Sequence, residues 1–223
     1  MLRRLVLLIA LAAPALASAQ YRYGRPPPGE WGPPWAGPTF SFWLGVGLPG
    51  GDISNEGDGR LGDLVNSSIP IGGEFAYRFN PAFRSGIFFQ VAPLSIAGSA
   101  CASGDRCDGT DYQFGFDFQL HLAPYRRVDP WVGLGVGWEW MEINATDFAD
   151  NIADRWTYSG VLFPRLTTGL DIQITPLFTL GPYLSWEAGR FTQVDQESRG
   201  SFDIDSPAFH GWLEIGVRGN FNL

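Results

Sequence analysis

Two histidines, two cysteines and a scatter of carboxylates are the candidates for chemistry in this chain. Acyl transfer through a serine needs an imidazole within reach and a carboxylate to orient it. His121 and His210 are the available imidazoles, and His210 is followed by Gly211 and Trp212, not by a serine. Ser206 is close in sequence but precedes Pro207 in a loop-like stretch. The expectation is a protein that is not an enzyme and has no catalytic residues. Cys101 and Cys107 bracket the polar segment Ala-Ser-Gly-Asp-Arg. In an exported protein such a pair is expected to form a disulfide. A metal site there would lack further cysteines or a neighbouring histidine. Asp52, Ser54, Glu56, Asp58 and Asp63 have the spacing of a calcium loop, with Gly57 at its turn position. However, Asp63 stands where a bidentate Glu belongs, Gly59 replaces an apolar residue, and no helical pattern flanks the loop. No metal and no cofactor are expected.

The remaining charges follow a rule. Glu74, Arg78, Asp117, Glu139, Arg165, Asp171, Glu187, Glu214 and Arg218 each fall on the polar side of an alternating segment. Such charges must pair or be hydrated if that side is enclosed. The segments that position them are strands. In residues 208–223, Phe209, Leu213, Ile215, Val217, Phe221 and Leu223 share one parity, and His210, Glu214, Arg218, Asn220 and Asn222 the other. A two-residue period puts these sets on opposite faces of a strand. Seven more runs behave alike: 39–48, 67–79, 84–94, 111–123, 131–140, 158–174 and 178–188. In 111–123, Phe114, Phe116 and Phe118 oppose Gln113, Asp117 and Gln119. In 158–174, Leu162 and Leu166 are assigned to the apolar face, opposite Arg165 and Asp171. The connections alternate, long at 49–66, 95–110, 141–157 and 189–207, and short at 80–83, 124–130 and 175–177.

Composition narrows the class. The chain of 223 residues has formal charge −8, no Lys, and 15 basic residues that are all Arg. It lacks the basic footprint of a nucleic-acid binder. Residues 1–19 read as a secretory signal peptide: Arg3 and Arg4, an apolar run over 5–13, then Ala17-Ser18-Ala19. Residues 20–38 are rich in Pro and Gly and read as an extended periplasmic arm. Residues 39–223 are the β domain. Its apolar parity is nearly free of charge, as a hydrocarbon-facing band must be, because charge there costs about 2–4 kcal/mol at the midplane. Its other parity mixes glycine with charges of both signs, which suits the crowded interior of a narrow barrel. Tyr112, Trp138, Trp140 and Trp186 near the long loops, and Tyr77, Phe79, Phe83 and Tyr125 near the short turns, are placed as two interfacial girdles. The fold expected is all-β, an eight-stranded antiparallel up-and-down transmembrane β-barrel.

On its alternating runs, loop asymmetry and terminal Phe221-Asn222-Leu223, the chain resembles the small OmpA/OmpX-type outer-membrane barrels across residues 39–223. Family members usually end in an aromatic residue, whereas this chain ends in Leu223. The resemblance implies the outer membrane of a Gram-negative bacterium and a monomer. It implies recognition of the C-terminal strand by the barrel-assembly machinery, and contact with outer-membrane lipid and lipopolysaccharide. It also implies a structural or surface-interaction role without catalysis. Some related barrels take up small hydrophobic solutes through the barrel or its lateral wall, and Pro93, Pro164 and Pro182 within strands could mark a weak seam. Others modify lipid A, but the His-x-Ser arrangement of the deacylases is absent.

Overall fold

The structure, a computed structural model, describes residues 36–55, 59–98, 106–146 and 152–223. The signal segment, most of the 20–38 arm, Glu56, Asp58 and Cys101 lie outside the described residues. So does one partner of the expected disulfide, and the pairing stays an expectation. Among the described residues, ten antiparallel strands follow one another: β1 (Gly37–Gly51), β2 (Val65–Ser68), β3 (Ile71–Asn80), β4 (Phe83–Ile96), β5 (Arg106–His121), β6 (Val128–Thr146), β7 (Ile152–Thr175), β8 (Phe178–Gln196), β9 (Gly200–Asp203) and β10 (His210–Asn222). A short helix, α1 (Leu61–Leu64), precedes β2.

From β3 to β8 each strand pairs with the next, and β10 closes the ring by pairing with both β8 and β1. The β1–β10 ladder runs from Thr39↔Asn222 to Gly51↔His210. Strands β2 and β3 together occupy one position in the wall, between β1 and β4. β9 pairs with the outer end of β8 beyond the ring. The ring therefore has eight positions and closes on itself, the condition for a sheet to cross hydrocarbon. Short turns gather at one end with both ends of the barrel sequence. There Asn80 Oδ1 accepts hydrogen bonds from the amides of Ala82 and Phe83, both at 2.9 Å, which ties the β3–β4 turn.

Several sequence expectations need correction. The run 67–79 is not one strand. Pro70 supplies no amide donor, and the chain breaks at Ile69–Pro70 into β2 and β3. The wall stays joined across the break, because Gly45 N donates to Pro70 O and Ile69 N to Pro93 O, each at 3.0 Å. Much of the expected long loops is strand. β6 continues to Thr146, β7 starts at Ile152, and β8 runs on to Gln196 before the β9 hairpin. The wall is consequently uneven: β7 has 24 residues and β6 and β8 have 19 each, against 15, 14 and 13 in β1, β4 and β10.

Leu162 is the third correction. It is fully buried in the lumen and not on the outer wall. The register of β7 slips against both neighbours between Leu162 and Arg165: two residues of β6 or β8 span three of β7. This bulge, at Phe163-Pro164, puts Leu162 and Arg165 on the same face although their numbers differ in parity.

The outer wall carries Phe114, Phe116, Phe118, Ile87, Leu184, Ile215 and their counterparts around the ring, all exposed. Stacked and tilted rings, Phe79 with Phe83 and Phe83 with Phe118, continue this surface around the short-turn end. A continuous apolar belt of this extent is far beyond what a water-soluble surface exposes. It is a hydrocarbon-facing surface.

Candidate functional site

The chemistry-bearing residues converge on the lumen. Glu74, Arg78, Asp117, Glu139, Arg165, Asp171, Glu187, Glu214 and Arg218 all point inward, and none is more than 4% exposed. They do not form one cluster but a column of tiers along the barrel axis.

At the short-turn end, His121 Nδ1 lies 2.7 Å from Asp129 Oδ2, and Arg78 Nη2 lies 3.3 Å from His121 Nε2. Arg78 also donates to Pro81 O at 2.8 Å, and Asp129 Oδ1 accepts from Ala123 N at 2.9 Å. Asp171 lines the same small cavity of about 20 Å³. These bonds fix the turn ends of three strands to one another.

The next tier centres on Glu74. Its Oε2 accepts from Arg84 at 2.7 Å, from Arg218 at 3.0 Å and from Gln119 at 3.1 Å. The same two arginines both donate to Ser41 Oγ, at 2.9 and 3.0 Å, and Arg84 donates to Asn220 Oδ1 at 2.8 Å. Gln119 links Asp117 at 2.7 Å. Residues from β1, β3, β4, β5 and β10 thus share one net of charge-assisted bonds across the bore.

Above it lies an aromatic tier of Trp43, Phe88, Trp131, Tyr183 and Leu162. Arg165 sits with its guanidinium 4.3 Å from the Phe88 ring and 5.3 Å from the Trp43 ring, while Arg218 stands 4.3 Å from Trp131. Cation–π attraction in such a desolvated place is worth about 2 kcal/mol per contact. Each ring faces a glycine across the sheet: Trp43↔Gly72, Phe88↔Gly115, Trp131↔Gly169 and Tyr183↔Gly216. A Cβ on Gly72 would come within 2.2 Å of the Trp43 indole. Glycine here is room for a ring lying across the bore.

Toward the long-loop end, Glu187 accepts from Arg165 at 2.7 Å and Ser185 at 2.8 Å. Gln90 accepts from Trp43 Nε1 at 2.7 Å and donates to Glu214 at 2.8 Å. Glu139 binds His210 Nε2 at 2.7 Å and accepts from Trp212 Nε1 at 2.8 Å. The His210 ring stacks flat on Phe191 at 3.8 Å. Phe191 belongs to an apolar cap with Leu61 of α1, Val65, Met141, Ile143 and Trp212. Among the described residues no group of His, Cys, Asp and Glu is placed to hold a metal ion. Asp52 of the calcium-like spacing pairs with Arg60 at 3.7 Å.

Arg84, Gln90, Gln113 and Gln119 stand at the heart of the net and were visible on the polar parity. The interior rings Trp43, Phe88, Trp131 and Trp212 are assigned to neither face by the sequence reading, and the structure places them inside. Their parity was the available signal: Phe88 shares that of Arg84 and Gln90.

No protein-family model matches the chain, and no curated protein does. Solved structures do. The chain is similar to Neisserial surface protein A, with 15% identity and a TM-score of 0.50, covering 84% of this chain and 99% of that one. It is similar to a major outer membrane protein of Thermus thermophilus, with 13% identity and a TM-score of 0.51, covering 83% and 100%. The fold is that of the small outer-membrane β-barrels. With the apolar belt described above, it places the chain in the outer membrane.

Proposed function

We propose that this protein is a closed outer-membrane barrel with a structural or surface-interaction role and no catalytic activity. The observation that carries this reading is the filled lumen. The Glu74–Arg84–Arg218 net, the aromatic tier and the apolar cap succeed one another along the bore. Two small cavities among the described residues, beside Arg78 and beside Arg165, measure about 20 and 10 Å³. Each has room for about one water molecule. Both imidazoles are engaged by carboxylates and shielded, His210 under Phe191, which supports a role in packing. Single-channel recording on the refolded mature protein in planar bilayers tests it. A closed barrel gives no regular current, and Arg165→Met destabilises the fold without opening one. A steady pore in the wild type overturns the reading.

One observation favours a second reading, uptake of small apolar solutes through the wall. Above Leu44↔Ile71, β1 and β2 are joined by the single pair Gly47↔Ser68. There α1 leads into β2 and plants Leu61 in the cap. Movement of α1 would connect the apolar cap to the bilayer. Accumulation of an apolar dye in vesicles carrying the protein, lost when α1 is cross-linked to β1, would support it.

A further inference from the structure

At the short-turn end of the bore one carboxylate stands without a donor. Asp171 is 4% exposed, and neither of its oxygens accepts a hydrogen bond from the described residues. In the β6–β7 ladder it lies directly opposite Asp129, which is also buried. The Cβ atoms of such a pair stand about 4.5–5.5 Å apart, and like charges there repel. Asp129 is satisfied: His121 engages its Oδ2 and the amide of Ala123 its Oδ1. Asp171 is not. Thr179 Oγ1 and Asn222 Oδ1 are likewise buried without a protein partner, and both residues line the cavity of about 20 Å³ that Asp171 lines. These oxygens come from β7, β8 and β10, which are neighbours in the wall.

The charge of this tier sets the kind of occupant. A guanidinium can only donate. Arg78 Nη2 faces His121 Nε2 at 3.3 Å, so that nitrogen accepts, and Nδ1–H donates to Asp129 at 2.7 Å. The imidazole is therefore neutral. One positive charge, Arg78, is buried here with two negative ones, Asp129 and Asp171. Arg78 is turned toward Pro81 O and His121, and its Nε makes no bond to Asp171. Arg126 also lines the cavity, but it is exposed and makes no hydrogen bond to Asp171 either. The enclosed groups are short of one positive charge, beside a space with room for about one water-sized particle.

We propose that this cavity binds one sodium ion, held by the Asp171 carboxylate, Thr179 Oγ1 and Asn222 Oδ1. Hard oxygen donors suit alkali and alkaline-earth cations. A single positive charge brings the tier to neutrality, whereas calcium would overshoot it and calls for more carboxylates than the one left free. Potassium is larger than the space. Among the described residues no group of three His, Cys, Asp or Glu is placed for a transition metal. The ion would join β7, β8 and β10 at the end where the last strand closes the ring, and so fasten the wall against fraying there.

The test is thermal unfolding of the refolded barrel in detergent, followed by gel mobility, in the chlorides of sodium, potassium, choline and calcium at one ionic strength. Sodium is expected to raise the midpoint by roughly 3–6 °C for each tenfold increase above its dissociation constant. Choline should not, and potassium and calcium should do less than sodium. Sodium-23 NMR reads the binding directly: the wild type should broaden the line, and Asp171→Asn should not. Asp171→Asn should also abolish the sodium response of the midpoint. Thr179→Val removes one neutral oxygen and should weaken sodium binding roughly ten-fold; it carries the test if Asp171→Asn does not refold. Equal midpoints in sodium and choline overturn the proposal, as they would if a water or a proton fills the cavity. A full sodium response in folded Asp171→Asn overturns it too, and so does a stronger response to calcium. The outcome is independent of the closed-bore reading: a conducting barrel with the sodium response leaves the site standing, and a closed barrel without it removes the site alone.

Discussion

Glu74 shows what a single side chain carries in this lumen. One of its oxygens takes bonds from two arginines and a glutamine contributed by three different strands. Removing either arginine leaves buried Glu74 without one of its charged donors. Arg84→Met should therefore lower stability by roughly 3–5 kcal/mol, the usual cost of leaving a buried charge without its partner. Urea unfolding in detergent micelles measures it. Replacing exposed Arg199 in the same way should change little, because a solvated surface charge contributes at most about 1 kcal/mol. The buried carboxylates outnumber the buried arginines among the described residues. Arg84 is shared among Glu74, Ser41, Gln119 and Asn220, and Arg218 among Glu74, Ser41 and Gln119.

At the level of the strand, parity is the currency, and one extra residue in β7 resets it. Deleting Pro164 should be tolerated, because removing the bulge residue leaves Leu162 and Arg165 on the same face by ordinary alternation. Deleting Thr168 should abolish refolding, since a one-residue slip turns every side chain on one side of the deletion to the wrong face. The fraction of each variant that shows the folded gel mobility distinguishes the two. The same rule explains what could be read from the residues alone. Alternation such as that of Phe114, Phe116 and Phe118 against Gln113, Asp117 and Gln119 revealed the wall, its lining charges and its short turns. It misplaced Leu162, because a bulge is set by three-dimensional pairing on both sides of β7. The interior rings share the inner parity, as Phe88 does with Arg84 and Gln90, but the cross-strand glycine that makes room for each is set by register, which is a tertiary fact. Strand lengths above the membrane were underestimated for a related reason. Beyond hydrocarbon the outer face no longer needs to be apolar, so the pattern fades while backbone pairing continues.

For the molecule as a whole, the belt and the filled bore exchange the usual inside and outside of a globular protein. Phe75, Phe116 and Ile215 face out, while Glu139, Gln113 and His210 are sealed from solvent. The barrel should remain folded only in detergent or lipid. Dilution of micelles below their critical concentration should bring it out of solution within the experiment, as light scattering would report; a clear, folded sample in plain buffer would contradict the assignment of the two faces. The unequal wall has a further result. About 9–11 residues per strand suffice to cross the hydrocarbon, so the hairpin made by β6 and β7 stands well clear of it, on the order of 20–30 Å for about ten surplus residues. The described ends of this hairpin, Thr146 and Ile152, therefore stand farther from the hydrocarbon than the outer ends of the shorter strands β1, β4 and β10. A visiting antibody, phage or host receptor would meet a one-sided mast, and would first touch this molecule there.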